Sequence, residues 1–157
     1  MQRAQVLVVD DDESMRDLLR SVCEMAGYEA ATASDGAEAL GMLLRAEQPW
    51  IVLMDVMMPR MSGLEVCAHL AAAGGVAARH LVVLLSAGHL PDGNPPPPVW
   101  AMLGKPFDLN NLIAILARLE LAAQQQTTTE GGPEDNVLST NHVHGRRAAR
   151  TGGAYAA

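Results

Sequence analysis

Short apolar runs alternate along the chain with segments in which apolar residues recur every three or four positions. The runs have the length and composition of strands buried on both faces, and the periodic segments are typical of amphipathic helices. Because strands that alternate with helices are joined by crossovers into parallel sheets, the pattern predicts an α/β fold with a doubly wound, five-stranded parallel sheet. The predicted strands are 5–9, 28–33, 50–55, 80–86 and 99–103, and the predicted helices are 13–26, 37–47, 62–73 and 109–123.

All of these elements lie within residues 1–123, which we expect to form one domain. Residues 124–157 are polar, Gly-rich and nearly free of large apolar side chains, so we expect a disordered tail there. No apolar stretch reaches the roughly 18–20 residues that span a bilayer, and the N-terminus turns acidic too early for a signal peptide. The sequence therefore predicts a cytoplasmic protein that does not enter the membrane.

The charge argues against a nucleic-acid-binding protein. The formal net charge is -7, and residues 1–123 carry 15 acidic against 8 basic residues, while residues 124–157 carry 3 of each. Binding to phosphate backbones requires clustered Lys and Arg, which this chain does not offer. No helix-turn-helix pattern follows the predicted domain, so we expect no direct contact with nucleic acid.

Polar side chains follow four of the predicted strands at the point where each strand ends. Asp10 and Asp11 follow the first strand, Asp55 ends the third, Ser86 ends the fourth and Lys105 follows the fifth. Since ligands of such sheets collect at the carboxyl ends of the strands, these groups are predicted to share one site. Three carboxylates held together would repel one another, and hard oxygen ligands of this kind suit Mg²⁺.

The same residues predict chemistry on a phosphoryl group. Asp55 would be the nucleophile and would form an acyl phosphate, while Lys105 and Ser86 would bind phosphoryl oxygens. Lys105 is the one lysine among 11 basic residues. A lysine between an apolar strand and Pro106 suggests a site that requires a compact point charge on a flexible stem.

These residues and their surroundings resemble the receiver domains of two-component response regulators, over about residues 5–123. The resemblance rests on VLVVDDDESMRDLL, VLMDVMMPRMSGLE, LLSAG and GKPF, in this order and at similar separations. It implies a flavodoxin-like sheet of order 2-1-3-4-5 and Mg²⁺ as cofactor. It also implies phosphorylation by a histidine kinase or a phosphotransfer protein. In place of a classical enzymatic output, we expect self-phosphorylation from a phosphodonor and slow self-hydrolysis of the acyl phosphate. Carried over by position, it makes Asp10 and Asp11 the metal-binding pair, Asp55 the phosphoacceptor, Ser86 the phosphate-binding hydroxyl and Lys105 the phosphate-pairing lysine.

The resemblance also implies finer features of the site and of its output. The backbone carbonyl of Met57 would complete the metal site, and the Lys105–Pro106 peptide would be cis. Met57 and Gly88 occupy the positions that tune the lifetime of the acyl phosphate, and neither can orient the attacking water by hydrogen bonding. Output would pass to an unknown protein partner, with the chain acting alone as a monomer or a weak dimer.

The segment between Ser86 and Lys105 departs from the family pattern. Receivers place a fourth helix there, whereas four consecutive prolines at 95–98 predict extended polyproline II, so the helix should be shortened or replaced by a loop. One face of the sheet should then be less covered. The switch position three residues before the lysine, often aromatic in the family, is Met102, and strand alternation would place Trp100 on the same face.

Two other functions compete with a phosphorylated receiver. Asp10 and Asp12 also fit the DxDxS pattern of haloacid-dehalogenase-type phosphatases, with Asp10 as the nucleophile and Asp12 as the general acid. Alternatively, a receiver fold could serve as a constitutive, unphosphorylated binding module.

By resemblance, the first helix is the candidate kinase-docking element, with Ser14, Arg16 and Asp17 as its candidate exposed positions.

Overall fold

The computed structural model describes residues 3–88 and 92–128, without the side chains of 127 and 128. The chain divides into two compact units, Met1–Ala123 and Gln124–Ala157. The predicted disordered tail lies mostly outside the described residues and stays a prediction. Of the second unit only residues 124–128 are described, and they are helical.

The described residues form five strands and four α-helices, as the sequence pattern predicts. In chain order they are β1 Val6–Val9, α1 Glu13–Met25, β2 Ala30–Ala33, α2 Gly36–Leu44, β3 Ile51–Asp55, α3 Gly63–Ala73, a 3-10 turn at Ala77–Arg79, β4 Leu81–Ser86, β5 Val99–Gly104 and α4 Leu109–Thr128. The last helix continues beyond its predicted end at 123, which agrees with the good helix propensity of glutamine.

The strands pair in parallel in the order β2-β1-β3-β4-β5. The predicted sheet order is therefore confirmed. In β1, β3 and β4 every residue is buried, as expected for strands covered by helices on both faces. Because β1 and β3 are central neighbours, their carboxyl ends bring Asp10 and Asp55 to adjacent positions at one edge of the sheet.

N-capping side chains at three of the helices fix the loops that lead out of the sheet. Asp12 caps α1 by accepting from the amides of Ser14 and Met15, and Asp35 caps α2. Ser62 caps α3, and Glu65 completes a capping box with it. These caps set the direction in which the chain leaves the site-bearing ends of the strands.

Among the described residues between β4 and β5, which are 87–88 and 92–98, none is helical. The polyproline II prediction for 95–98 is wrong at its end, because the amide of Val99 donates to the carbonyl of Pro96 across a turn that contains a cis Pro97–Pro98 peptide. We also expected one face of the sheet to be less covered by helices, and this prediction is wrong for β4, because its Val82 and Leu84 are fully buried. Pro98 itself is buried, and its carbonyl accepts from the amide of Val82.

Candidate functional site

The site lies at the carboxyl ends of β1, β3, β4 and β5. Ligand atoms of Asp10, Asp11 and Asp55, which we call the acidic cluster, all lie within 4.8 Å of one another. The Lys105 ammonium lies 3.0 Å from a carboxylate oxygen of Asp10 and 3.5 Å from one of Asp55. Four of the five predicted side chains therefore meet in one small volume.

Asp10 is almost completely buried and every polar atom of the residue has a partner. Its amide donates to the carbonyl of Ala33, and its Oδ1 accepts from the amide of Asp12. Its Oδ2 accepts from Lys105, and its backbone carbonyl accepts from the guanidinium of Arg16. A buried carboxylate requires such pairing, so this residue is held rigidly at the base of the acidic cluster.

Asp55 is the last residue of β3 and is also largely buried. Burial raises the pKa of its carboxyl, the neighbouring Lys105 opposes this rise, and the negative charge of Asp10 adds to it. Its Oδ1 accepts weakly from the amide of Met57 at 3.3 Å. The carboxylate is thus desolvated, and Lys105 is its one ion-pair partner in the described part of the chain.

The start of α3 packs directly behind Asp55. A Cβ atom on Gly63 would lie 2.6 Å from the Asp55 carbonyl oxygen, so only glycine fits between this helix and the strand end. The Gly63 amide donates to the carbonyl of Val56. This close approach fixes the backbone that carries the carboxylate.

Lys105 begins the loop after β5 and its side chain is mostly buried. Burial on its own lowers the pKa of the ammonium, but the hydrogen bond and charge of Asp10, together with the charge of Asp55, outweigh it and raise the pKa above its ordinary value. Its backbone amide donates to the carbonyl of Ser86, and the Lys105–Pro106 peptide is cis. The lysine is therefore charged and directed to the acidic cluster.

Ser86 ends β4 beside Gly104 of β5, and it is buried. Its hydroxyl oxygen accepts from the amide of Gly88 at 3.1 Å. Within the part of the chain that the structure describes, a Cβ atom on Gly88 would meet nothing closer than this hydroxyl, at 3.9 Å, and one on Gly104 would meet nothing within 4 Å. Among the described residues, which leave out 89–91, none therefore closes this side of the hydroxyl.

The family model for the response regulator receiver domain matches residues 6–94 of the chain. The chain belongs to the response regulator receiver family. It is 37% identical to the response regulator MprA of Mycolicibacterium vanbaalenii, over 86% of this chain and 57% of that protein. It is 34% identical to the probable transcriptional regulator ycf27 of Pyropia yezoensis, over 88% of this chain and 56% of that protein. The receiver chain thus spans a little over half the length of these curated relatives.

Solved structures agree with this assignment. The chemotaxis protein CheY4 of Vibrio cholerae superposes with a TM-score of 0.63 at 30% identity, covering 74% of this chain and 98% of that chain. Within the residues described here, no helix of the receiver is long and apolar enough to cross a membrane.

The acidic cluster of this receiver fits a divalent cation. Its donors are carboxylate oxygens from two neighbouring strand ends, and such hard ligands suit Mg²⁺, which uses one or two carboxylates and keeps its other positions for water and phosphate. Met57 extends its side chain into solvent, with 71% exposed. The metal-binding role of its backbone carbonyl stays a prediction.

Asp12 lies beside the acidic cluster and has a different part. The same carboxylate oxygen of Asp12 accepts from the amides of Ser14 and Met15 at the start of α1. A phosphatase of the dehalogenase type would use Asp12 as its general acid, but the N-cap role already explains why an acid stands at this position. The geometry therefore gives that alternative no support.

The predicted partnership of Trp100 with Met102 is wrong. The pairing of β4 with β5 shifts between Val82 and Val83, so that Val99 and Ala101 pair with them and Trp100 is skipped. The extra residue reverses the alternation, and Val99 shares the sheet face with Met102 instead. Met102, the predicted switch position, is partly buried on that face, while Trp100 is 45% exposed.

Arg16 is the site residue that sequence reasoning assigned to another role. The sequence suggested an exposed docking position on α1, but Arg16 is partly buried and donates to the Asp10 carbonyl at 2.8 Å. Ser14 and Asp17 are exposed as predicted. The sequence does place Arg16 in the first turn of α1, where a long side chain points back toward the helix N-terminus and so toward the end of β1. The pattern alone does not reveal which backbone group this side chain contacts.

Proposed function

We propose that this receiver accepts a phosphoryl group on Asp55 from a phosphohistidine of a histidine kinase or a phosphotransfer protein, and that the phosphorylated form signals through contact with another protein. One observation carries the proposal. Asp55 is a desolvated carboxylate that lies in the acidic cluster, 3.5 Å from the Lys105 ammonium. Membership of the receiver family supports the class of donor.

The step is an in-line transfer to a carboxylate oxygen. An oxygen of Asp55 attacks the phosphorus, the new P–O bond forms as the P–N bond to the donor imidazole breaks, and the imidazole leaves with the electron pair and takes up a proton. Bound Mg²⁺, held by Asp10, Asp11 and Asp55 with the Met57 carbonyl, would supply positive charge that offsets the phosphoryl oxygens.

The residues of the chain divide the remaining work. Lys105 would exchange its contact with the Asp55 carboxylate for a phosphoryl oxygen, since it already lies within reach of both acids. The Ser86 hydroxyl would donate to another phosphoryl oxygen, because its present contact with the Gly88 amide uses only its acceptor capacity. Gly88 itself places no side chain between the hydroxyl and the incoming group.

Intact-protein mass after incubation with acetyl phosphate tests the proposal. We expect one added phosphoryl group that requires both Mg²⁺ and Asp55, so that Asp55→Asn and a chelator each abolish it. Asp17→Asn, an exposed acid on α1, is the matched control and should be phosphorylated normally.

Two outcomes would contradict the proposal. Phosphate that persists in Asp55→Asn but disappears in Asp10→Asn would assign the nucleophile to Asp10. No added phosphate at early times, together with failure to bind beryllofluoride, would indicate a receiver fold that serves as a constitutive binding module.

A further inference from the structure

The carbonyl of Asp10 lies where the hydrogen-bond ladder of the sheet ends. The amide of Asp10 donates to Ala33 of β2, and in a parallel ladder its carbonyl would accept from an amide further along the same strand. However, β2 ends at Ala33, and the chain turns at Asp35 into α2. The sheet therefore supplies no strand partner for this carbonyl, and the guanidinium of Arg16 supplies one from α1.

This carbonyl belongs to the peptide unit that joins Asp10 to Asp11. The unit is planar, so a hydrogen bond that fixes the Asp10 carbonyl also fixes the amide and the Cα atom of Asp11. Asp10 does not depend on this bond for its own carboxylate, which Lys105 and the Asp12 amide already hold. Asp11 is exposed, and its carboxylate has no hydrogen bond or ion pair within the described residues, so its position depends on the two peptide units that flank it. Arg16 holds the unit before Asp11, and the bond from the Asp12 amide to Asp10 Oδ1 holds the unit after it.

We propose that Arg16 is a positioning residue for metal binding, which holds the Asp10–Asp11 peptide so that the exposed Asp11 carboxylate faces the other two acids. The inference rests on the proposed Mg²⁺ site. Groups that orient metal ligands without touching the metal change affinity by roughly tenfold or more when they are removed. Arg16 donates to the backbone carbonyl of Asp10 and would affect the metal by orienting Asp11.

A purely electrostatic role would give the opposite sign. Removing a positive charge near three carboxylates strengthens their attraction for a cation, so loss of Arg16 by charge alone would tighten Mg²⁺ binding. Loss of positioning weakens binding, because Asp11 must then be ordered when the cation binds. The direction of the change therefore distinguishes the two roles.

Titration of backbone amide chemical shifts with Mg²⁺ tests this in the unphosphorylated protein. Arg16→Met should weaken Mg²⁺ binding by roughly tenfold. Arg20→Met removes the same charge one turn further along α1, where Arg20 pairs with Glu24, and should leave the affinity unchanged. Arg16→Lys keeps a cationic donor and should retain most of the affinity.

A double-mutant cycle tests the route through Asp11. If Arg16 acts by orienting Asp11, then Arg16→Met should have little effect on affinity in an Asp11→Asn background. Thermal unfolding in chelator establishes that each variant is folded.

Affinity in Arg16→Met that equals or exceeds that of the wild type would overturn the inference, and so would a full effect of Arg16→Met in the Asp11→Asn background. Failure of the proposed metal site is distinguishable, since then the wild-type amides around Asp10 and Asp55 would not shift at all.

Discussion

Replacing Lys105 by methionine should strongly destabilise the metal-free protein. The ammonium lies 3.0 Å from Asp10 and 3.5 Å from Asp55, and Asp10 is only 1% exposed. At an effective dielectric constant of about 20, the contact with Asp10 is worth roughly 5–6 kcal/mol and the contact with Asp55 roughly 5 kcal/mol, before desolvation is subtracted. Removal of one partner from a buried ion pair costs roughly 3–5 kcal/mol, because the other charge remains buried without compensation.

We expect a loss of about 3 kcal/mol, at the lower end of that range, since the Lys105 side chain is 16% exposed and water can enter the space it leaves. Equilibrium urea unfolding in chelator at neutral pH measures this loss. Arg20→Met is the control, because Arg20 and Glu24 approach equally closely, at 2.9 Å, but both are about half exposed. That pair should contribute less than about 1 kcal/mol.

Two further measurements separate the electrostatic cause from lost packing. Excess Mg²⁺ should recover part of the stability of Lys105→Met, since a divalent cation offsets the same carboxylates. Acidification should recover part of it as well, because protonation removes the uncompensated charge. A loss no larger than that of Arg20→Met, or a loss that neither treatment relieves, would refute the reasoning.

Three other perturbations test the fold and the lifetime of the phosphorylated state. Burial lowers the pKa of His80, whose ring bonds the Leu43 carbonyl and the Trp50 amide, so the unfolded state binds more protons and stability should fall as the pH drops below 6.5. His80→Gln should remove this dependence in pH-dependent thermal unfolding, and retention of the full dependence would contradict the assignment. Gly63→Ala should cost about 1–3 kcal/mol because its Cβ would lie 2.6 Å from a carbonyl oxygen, whereas Gly41→Ala, which meets only a flexible arginine, should be neutral or stabilising in the same urea assay. Met57→Asn supplies a group that can orient water and should speed loss of the phosphoryl group, as followed by intact mass over time, and an unchanged decay rate would refute this account of Met57.

The sheet and most of the site follow from local patterns in the sequence. An apolar run with a polar residue at its end predicts both a buried strand and the edge on which that residue lies, which is sufficient for Asp55 and Ser86. The same reasoning places Asp10 and Lys105 because the carboxyl ends of parallel strands share one edge. No knowledge of side-chain packing is required for these predictions.

The errors occur where one element depends on another that is distant in sequence. The exposure of Trp100 depends on a shift in register between two strands, which the alternation within β5 cannot reveal. The turn at Pro98 depends on its hydrogen bond with Val82 in the neighbouring strand. The partner of Arg16 depends on where β2 ends, which is at Ala33, 17 residues further along the chain.

The arrangement of charges explains why the site combines one rigid acid with one that needs support. Asp10 is buried and fully bonded, so its position is set by folding and requires no ligand. Asp11 is exposed, which leaves its carboxylate hydrated and able to exchange water for a cation at low cost. An exposed carboxylate is accessible to a cation, but its position is less well fixed. A hydrogen bond to the preceding peptide fixes the position without burying the carboxylate. In the proposed mechanism, in which Mg²⁺ binds and leaves reversibly, an arginine that holds the backbone without contacting the acid would meet both requirements.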